Sequence, residues 1–265
     1  MNAIREVLQI TWQSMKALWE DLLILVLMNL ATVSPIILPI FLTFGMAELW
    51  QAGYQTLAFV LAIVGLLPLL LLPPALAGLW NAANRVAEEL AVHWSDYFEG
   101  FRRYSWKSLG LALISILILA ILGANIWFYA PGNNPWEIDP GLSLAIRIFF
   151  AILTALWLVY QMYPMAMLLE QTDQRVRTAL RNAGVLILTR PGFSILLALI
   201  LAITIAISTY LVIPWFVLTF SFMALVCNKA VKHLLTPYRE QAAQEADLET
   251  SAQEEKEFTD EESSQ

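Results

Sequence analysis

Six long apolar stretches constrain this chain more than any other feature. A helix of about 20 apolar residues crosses the hydrocarbon core of a bilayer. Leu22–Phe44, Leu57–Trp80, Leu109–Ala130, Leu142–Leu169, Phe193–Tyr210 and Pro214–Val231 reach or approach that length. The last two are separated by a few residues around Val212. A single helix spanning both would overshoot a bilayer, so they read as a tight helical hairpin. The expected fold is all-α: a polytopic transmembrane bundle of about six spans with amphipathic cytoplasmic helices. Three segments follow, namely an amphipathic N-terminal helix over 1–21, a membrane domain over 22–235 and an acidic tail over 236–265.

Lysine and arginine placement gives the orientation, because short cytoplasmic loops collect positive charge. Arg5 and Lys16 precede the first span. Arg85, Arg102, Arg103 and Lys107 lie between spans two and three, and Arg175, Arg177, Arg181 and Arg190 between spans four and five. Lys229, Lys232, Arg239 and Lys256 lie at or beyond the end of the sixth. The opposite loops hold none, and Arg147, inside span four, can reach outer headgroups by snorkelling. Both termini are therefore expected in the cytoplasm of a bacterial inner membrane. The chain's net charge of −7 belongs to its tail, where ten acids from Glu240 to Glu262 face only Arg239 and Lys256. That composition predicts disorder beyond about Ala246.

The cytoplasmic segments read as helices. Ile4, Val7, Leu8, Thr11, Trp12, Met15, Leu18 and Trp19 recur at helical spacing, so residues 2–20 either lie in the interface or pack under the bundle. Ala83, Val86, Ala87, Leu90 and Trp94 carry span two onward. Tyr97, Phe98, Phe101 and Tyr104 mark a second helix after Ser95. Val176, Ala179, Leu180, Ala183 and Ile187 mark another, ended by Arg190-Pro191-Gly192. Together these helices form a basic collar that includes Arg85, Phe98, Phe101, Arg102, Arg103, Arg175, Arg177 and Arg181. Trp12, Trp19, Trp50, Trp80, Trp94, Trp106, Trp127 and Trp136 near span ends suit interface anchoring.

Chemistry-bearing residues are few. Cys227, the single cysteine, sits in an apolar run and reads as a small buried hydrophobe. His93 and His233 suggest no metal site, and no cofactor is expected. Motifs of metalloproteases, phosphate-binding loops, dinucleotide-binding turns and nucleophile elbows are missing. Asn29, Thr32, Ser34, Asn125, Gln161 and Tyr163 either line a small cavity or bond between helices. Arg147 and Glu170, near opposite ends of span four, either sit at the interfaces or gate a path. Pro35, Pro39, Pro68, Pro73, Pro74 and Pro164 interrupt spans. Pro35 and Pro39, beside Ser34, are the pair most expected to make a functional kink. Pro74 and Pro164 each stand eleven positions before an Arg-Val pair, a faint internal echo.

Two stretches carry a resemblance. Pro74-Ala75-Leu76-Ala77-Gly78-Leu79 through Arg85-Val86, then Trp94-Ser95-Asp96-Tyr97-Phe98-Glu99-Gly100-Phe101, resemble the YesL family of bacterial membrane proteins. Tyr163-Pro164 followed by Arg177-Thr178-Ala179-Leu180-Arg181-Asn182-Ala183 is similar to that family's second pattern. The likeness covers roughly residues 20–235. This chain has a longer region before Pro74 and adds the acidic tail. The family has no established activity, and its genes lie beside those of carbohydrate importers. The resemblance therefore implies an accessory or scaffold role beside a transport permease, with no residue roles to carry over. The expected partners are the lipid bilayer and either a membrane protein such as that permease or a second copy, with no nucleic acid. The alternative function is a small-solute transporter or channel using the proline-broken spans. Enzymatic activity is not expected.

Overall fold

A computed structural model describes residues 3–133 and 138–263, with side chains described up to residue 246. Among these residues the secondary structure is entirely helical. The helices are α1 (Ala3–Glu20), α2 (Leu22–Gln51), α3 (Gln55–Leu66), α4 (Leu72–Ala87), α5 (Trp94–Phe128) and α6 (Pro140–Tyr160). They continue as α7 (Pro164–Glu170), α8 (Val176–Thr189), α9 (Pro191–Leu211), α10 (Ile213–Val217) and α11 (Thr219–Ser263). A 3₁₀ turn at Leu67–Leu71 joins α3 to α4.

Five stretches are long and apolar enough to cross a membrane: Leu22–Gln51, Gln55–Ala87, Trp94–Phe128, Pro140–Glu170 and Pro191–Leu211. The 21 residues of α6 rise about 31 Å, close to a hydrocarbon thickness. Their apolar side chains are mostly not packed against protein. In the most apolar part of Pro140–Glu170 no residue is buried, and in that of Trp94–Phe128 only 6% are. Surfaces this apolar are stable where the solvent is itself apolar, which makes this a multi-pass membrane protein.

The sixth expected span, Pro214–Val231, is not an uninterrupted helix. Val212 turns the chain with a φ of 61°, a conformation disfavoured for a β-branched residue. α10 then ends at Val217, and Leu218, with a φ of −138°, separates it from α11. The hairpin reading holds, since Thr219 Oγ1 donates to Ser208 Oγ of α9 at 2.7 Å. Beyond the break, α11 is a buried post. Ala224, Leu225, Val226, Cys227, Ala230 and Val231 are all at most 1% exposed. Asn228, Lys229 and Lys232 dilute its apolarity below that of a lipid-facing span. α11 nonetheless returns to the end of the bundle that holds α1, so both terminal helices meet there. Its helix continues to Ser263, where composition predicts disorder; the Ala, Glu and Gln after Pro237 are good helix formers.

The broken segment is held by Asn29 of α2. Its Nδ2 donates to the carbonyls of Trp215 and Phe216 at 2.9 and 2.7 Å. Its Oδ1 accepts from the amides of Phe220 and Ser221, both at 3.1 Å. One fully buried amide thus satisfies backbone groups that the break leaves without helical partners. Ser221 Oγ adds a bond to the carbonyl of Leu25 at 2.9 Å.

The packed core lies toward the basic end. α1, α7, α9 and α11 enclose one cluster around Val7, Tyr163, Phe193, Leu197, Val226 and Val231. α2, α4 and α11 enclose a second around Leu25, Met28, Leu79, Ala83 and Leu225. α4 and α5 approach so closely that glycine is required at their crossing. A Cβ on Gly100 would stand 2.4 Å from Cβ of Asn81, and one on Gly78 2.6 Å from the carbonyl oxygen of Tyr97.

α1 packs under the bundle with Val7, Ile10, Ser14 and Leu18 while Ile4, Leu8, Trp12, Met15 and Trp19 stay exposed along one stripe. The reading that this helix packs under the bundle is thus realised on one face, and the other face carries an exposed apolar stripe. Pro35 and Pro39 do not break α2, which runs through them, whereas the breaks fall at Leu67–Leu71 and before Pro164.

Replacing Asn29 by Leu removes four bonds, each worth on average about 0.6 kcal/mol in a bilayer protein. The variant should lose about 2 kcal/mol or more, read as a lower unfolding temperature in detergent. Asn125→Leu, which removes one bond within its own exposed helix turn, should leave that temperature nearly unchanged.

Candidate functional site

The basic end of the bundle brings together most of the charged side chains, in three locked clusters and one open patch. At the α4–α5 junction, Asp96 is buried. Its carboxylate accepts from the backbone amide of His93 at 2.8 Å, as part of a capping box, and lies 3.5 Å from Nε of Arg85. Asn81 Nδ2 donates to the Asp96 carbonyl at 2.8 Å. Trp94, Tyr97 and Phe98 pack edge-on or tilted beside it, with centroids 5.6–6.1 Å apart.

The second cluster centres on Glu170 at the end of α7, whose side chain is only 7% exposed. Lys232 and Arg239 of α11 both reach it at 2.5 Å, and Lys232 also pairs with Glu88 after α4 at 2.7 Å. Glu170 is therefore held in ion pairs rather than projecting free. It is the acid that fastens α11 to α7, with Lys232 extending the tie to α4.

In the third cluster, Glu6 of α1 is 6% exposed and meets Arg190 at 3.0 Å and His233 at 3.3 Å. His233 also stacks on Phe193 at 6.0 Å. Glu6 is not part of the apolar stripe that the sequence marks on α1, and its partners lie 184 and 227 positions away. The only local signal for it is its place beside Val7 and one turn before Ile10.

Gln174 ties α5 to the loop before α8. With a φ of 48°, it accepts from Lys107 Nζ at 2.9 Å and from Arg103 Nε at 3.4 Å, and donates to Tyr104 Oη at 3.2 Å. Arg103 also pairs with the exposed Glu99 at 3.5 Å. Around this tie, Arg102, Arg175, Arg177 and Arg181 are exposed and form no ion pair among the described residues. Phe98 is 53% exposed and Phe101 half-buried. The expected collar residues thus lie at one end, but they divide into a paired Arg85 and Arg103 and an open cationic set.

The expected polar residues within the spans do not converge. Ser34 donates to the carbonyl of Ala31 and Asn125 to that of Ile121, each within its own exposed helix. Arg147 is half-buried, and its Nε has no hydrogen-bond partner. Thr32 bonds Met28 and approaches Tyr97 Oη at 3.3 Å, and buried Tyr163 donates to Ser194 at 2.9 Å. These last two bond between helices, as Asn29 does. Gln161 alone among them lines a cavity, a groove between α4, α5 and α7. Trp80, expected at the interface, lines the same groove and packs on both core clusters. Trp12, Trp19, Trp50, Trp94, Trp106 and Trp127 are 38–86% exposed, and Trp136 lies outside the described residues. Cys227 is buried. Among the described residues no cluster of His, Cys, Asp or Glu has the geometry of a metal site.

Compared with protein-family models, with curated proteins and with solved structures, the chain has no match.

Because Glu170 holds two cations of α11, Glu170→Gln should cost about 1–3 kcal/mol and loosen the helix near Arg239. Trypsin should then cut at Arg239 several-fold faster in the detergent-solubilised protein. Glu99→Gln, which removes an exposed pair worth at most about 1 kcal/mol, should leave the cleavage rate unchanged.

Proposed function

We propose that this chain is a non-enzymatic accessory or scaffold protein of the bacterial inner membrane, with its basic end in the cytoplasm, serving a transport system that includes a carbohydrate permease. The observation that carries this reading is the division of the basic end. Three ion-pair clusters fasten α1, α4, α5, α7, α9 and α11 together, while Arg102, Arg175, Arg177 and Arg181 stay open on a rigid base. A rigid platform with unneutralised cations suits a partner or headgroup surface of opposite charge. The resemblance to the YesL family points the same way, through the association of its genes with importers.

A small-solute transporter is the second reading. It draws on one feature, that the breaks at Leu67–Leu71 and at residues 161–163 border the same groove. Against it, Asn29, Ser34, Asn125 and Tyr163 have their hydrogen bonds satisfied within or between helices, which leaves no polar file across the bundle.

Affinity purification in mild detergent should bring down a membrane-protein partner at near-equal stoichiometry. The triple variant Arg175→Glu, Arg177→Glu, Arg181→Glu should lose it while keeping the wild-type unfolding temperature. A lone, monodisperse wild-type species contradicts the scaffold reading, and solute flux into proteoliposomes favours the transporter. Reporter fusions at residues 52 and 132 should be periplasmic and those at residues 90 and 174 cytoplasmic; the reverse pattern overturns the orientation.

A further inference from the structure

The groove between α4, α5 and α7 has a volume of about 460 Å³ and is walled by Leu72, Leu76, Ala112, Ile116 and Met165. Its lining residue Ile116 is 64% exposed, and Leu70, Leu71 and Leu117, next in sequence to lining residues, are 52–60% exposed on the same apolar surface. Entry is therefore from the hydrocarbon side. The indole N–H of Trp80 is buried in its wall without a hydrogen-bond partner in the protein, and the polar side chains of Gln161 and Ser115 line it as well. A groove that is greasy along its walls yet holds a free donor suits an amphiphile better than either water or a pure hydrocarbon.

Its direction along the helices specifies the occupant further. Ser108 and Trp80 lie toward the basic end, and Ile116 and Leu69 toward the opposite end. Eight residues of α5 separate Ser108 from Ile116, a run of about 12 Å. Lys107, next to Ser108, bonds the neutral Gln174 and forms no ion pair among the described residues. The end of the groove at Ser108 thus adjoins, along α5, a lysine without an ion-pair partner, whose ammonium also lies 5.3 Å from the Tyr104 ring centroid, and the end at Ile116 is apolar. We infer that this groove binds one anionic phospholipid, with its headgroup beside Lys107 and one acyl chain running down past Ala112 to Ile116. Trp80 and Gln161 hydrogen-bond the glycerol ester region, which carries acceptors at that depth. The inference rests on the membrane reading above. A chain that leaves membranes only in detergent yet holds no lipid overturns the groove and spares that reading.

Native mass spectrometry of the full chain, titrated in detergent with phosphatidylglycerol or phosphatidylcholine, tests it. Wild type should retain one phosphatidylglycerol in preference to phosphatidylcholine. Ala112→Trp, which fills the groove, should weaken this by about tenfold, a change of about 1.4 kcal/mol. Leu113→Trp, on the exposed face of the same helix, should not. Lys107→Gln should abolish the preference between the two lipids while leaving phosphatidylcholine binding unchanged. Where Ala112→Trp does not purify as a monodisperse species, Ser115→Leu takes its place. No retained lipid, equal retention of the two lipids by wild type, or full retention by the filled variant overturns the proposal.

Discussion

A peptide carbonyl or amide inside a bilayer has no water to turn to, so wherever a helix breaks the protein must supply the missing bond. That constraint organises the whole bundle. At Leu218 the amide of Asn29 serves backbone groups on both sides of the break. At Leu67–Leu71 the chain tightens to 3₁₀ bonding and keeps its own ladder. Before Pro164 the amides of Met162 and Tyr163 bond the carbonyls three residues back. Hydroxyls within the spans obey the same rule, with Thr154 bonding Phe150 and Thr204 bonding Ile200. Asn29, Thr154 and Thr204 are thus spent on local satisfaction, whereas the indole N–H of Trp80 is left without a partner in the protein.

The basic end follows different physics, because water and ions reach it. Exposed pairs such as Arg103–Glu99 contribute little there. The pairs that bind the helices together are those with a buried acid, at Glu6, Asp96 and Glu170. Each joins segments distant in sequence, and each leaves its cation partly in contact with solvent. Such a pair loses less solvation than a fully buried one, while removing the cation would strand a buried carboxylate. The result is a stiff base from which the remaining arginines project.

Much of the membrane architecture was legible in hydropathy. Five of the six apolar stretches recur as spanning segments, and the cations gather at one end as the loop pattern predicts. The sixth stretch is interrupted at Leu218 and then buried inside the bundle, a difference that apolar composition does not encode, since it marks lipid-facing and packed helices alike. α11 is the second kind. Asn29 was visible as a polar residue in a span, but its role depends on a break nearly 190 positions later. The pairing of Glu170 is not legible, because its partners, Lys232 and Arg239, lie on a helix whose docking no local pattern encodes. Pro35 and Pro39 looked like the kink site, yet the chain breaks where prolines meet an adjoining turn, at Pro68–Pro73 and Pro164. The basic collar was readable residue by residue, whereas its division into paired and free cations required the three-dimensional arrangement.

The central claim is that hydrocarbon, not water, faces the exposed apolar helices. Site-directed spin labelling tests it directly, in the reconstituted full chain carrying Cys227→Ala with Leu113→Cys, Leu156→Cys or Arg102→Cys. Labels at Leu113 and Leu156, 69% and 57% exposed, should be highly accessible to oxygen and shielded from a water-soluble nickel chelate, while the label at Arg102 shows the reverse. Nickel accessibility at Leu113 and Leu156 equal to that at Arg102 would contradict the account.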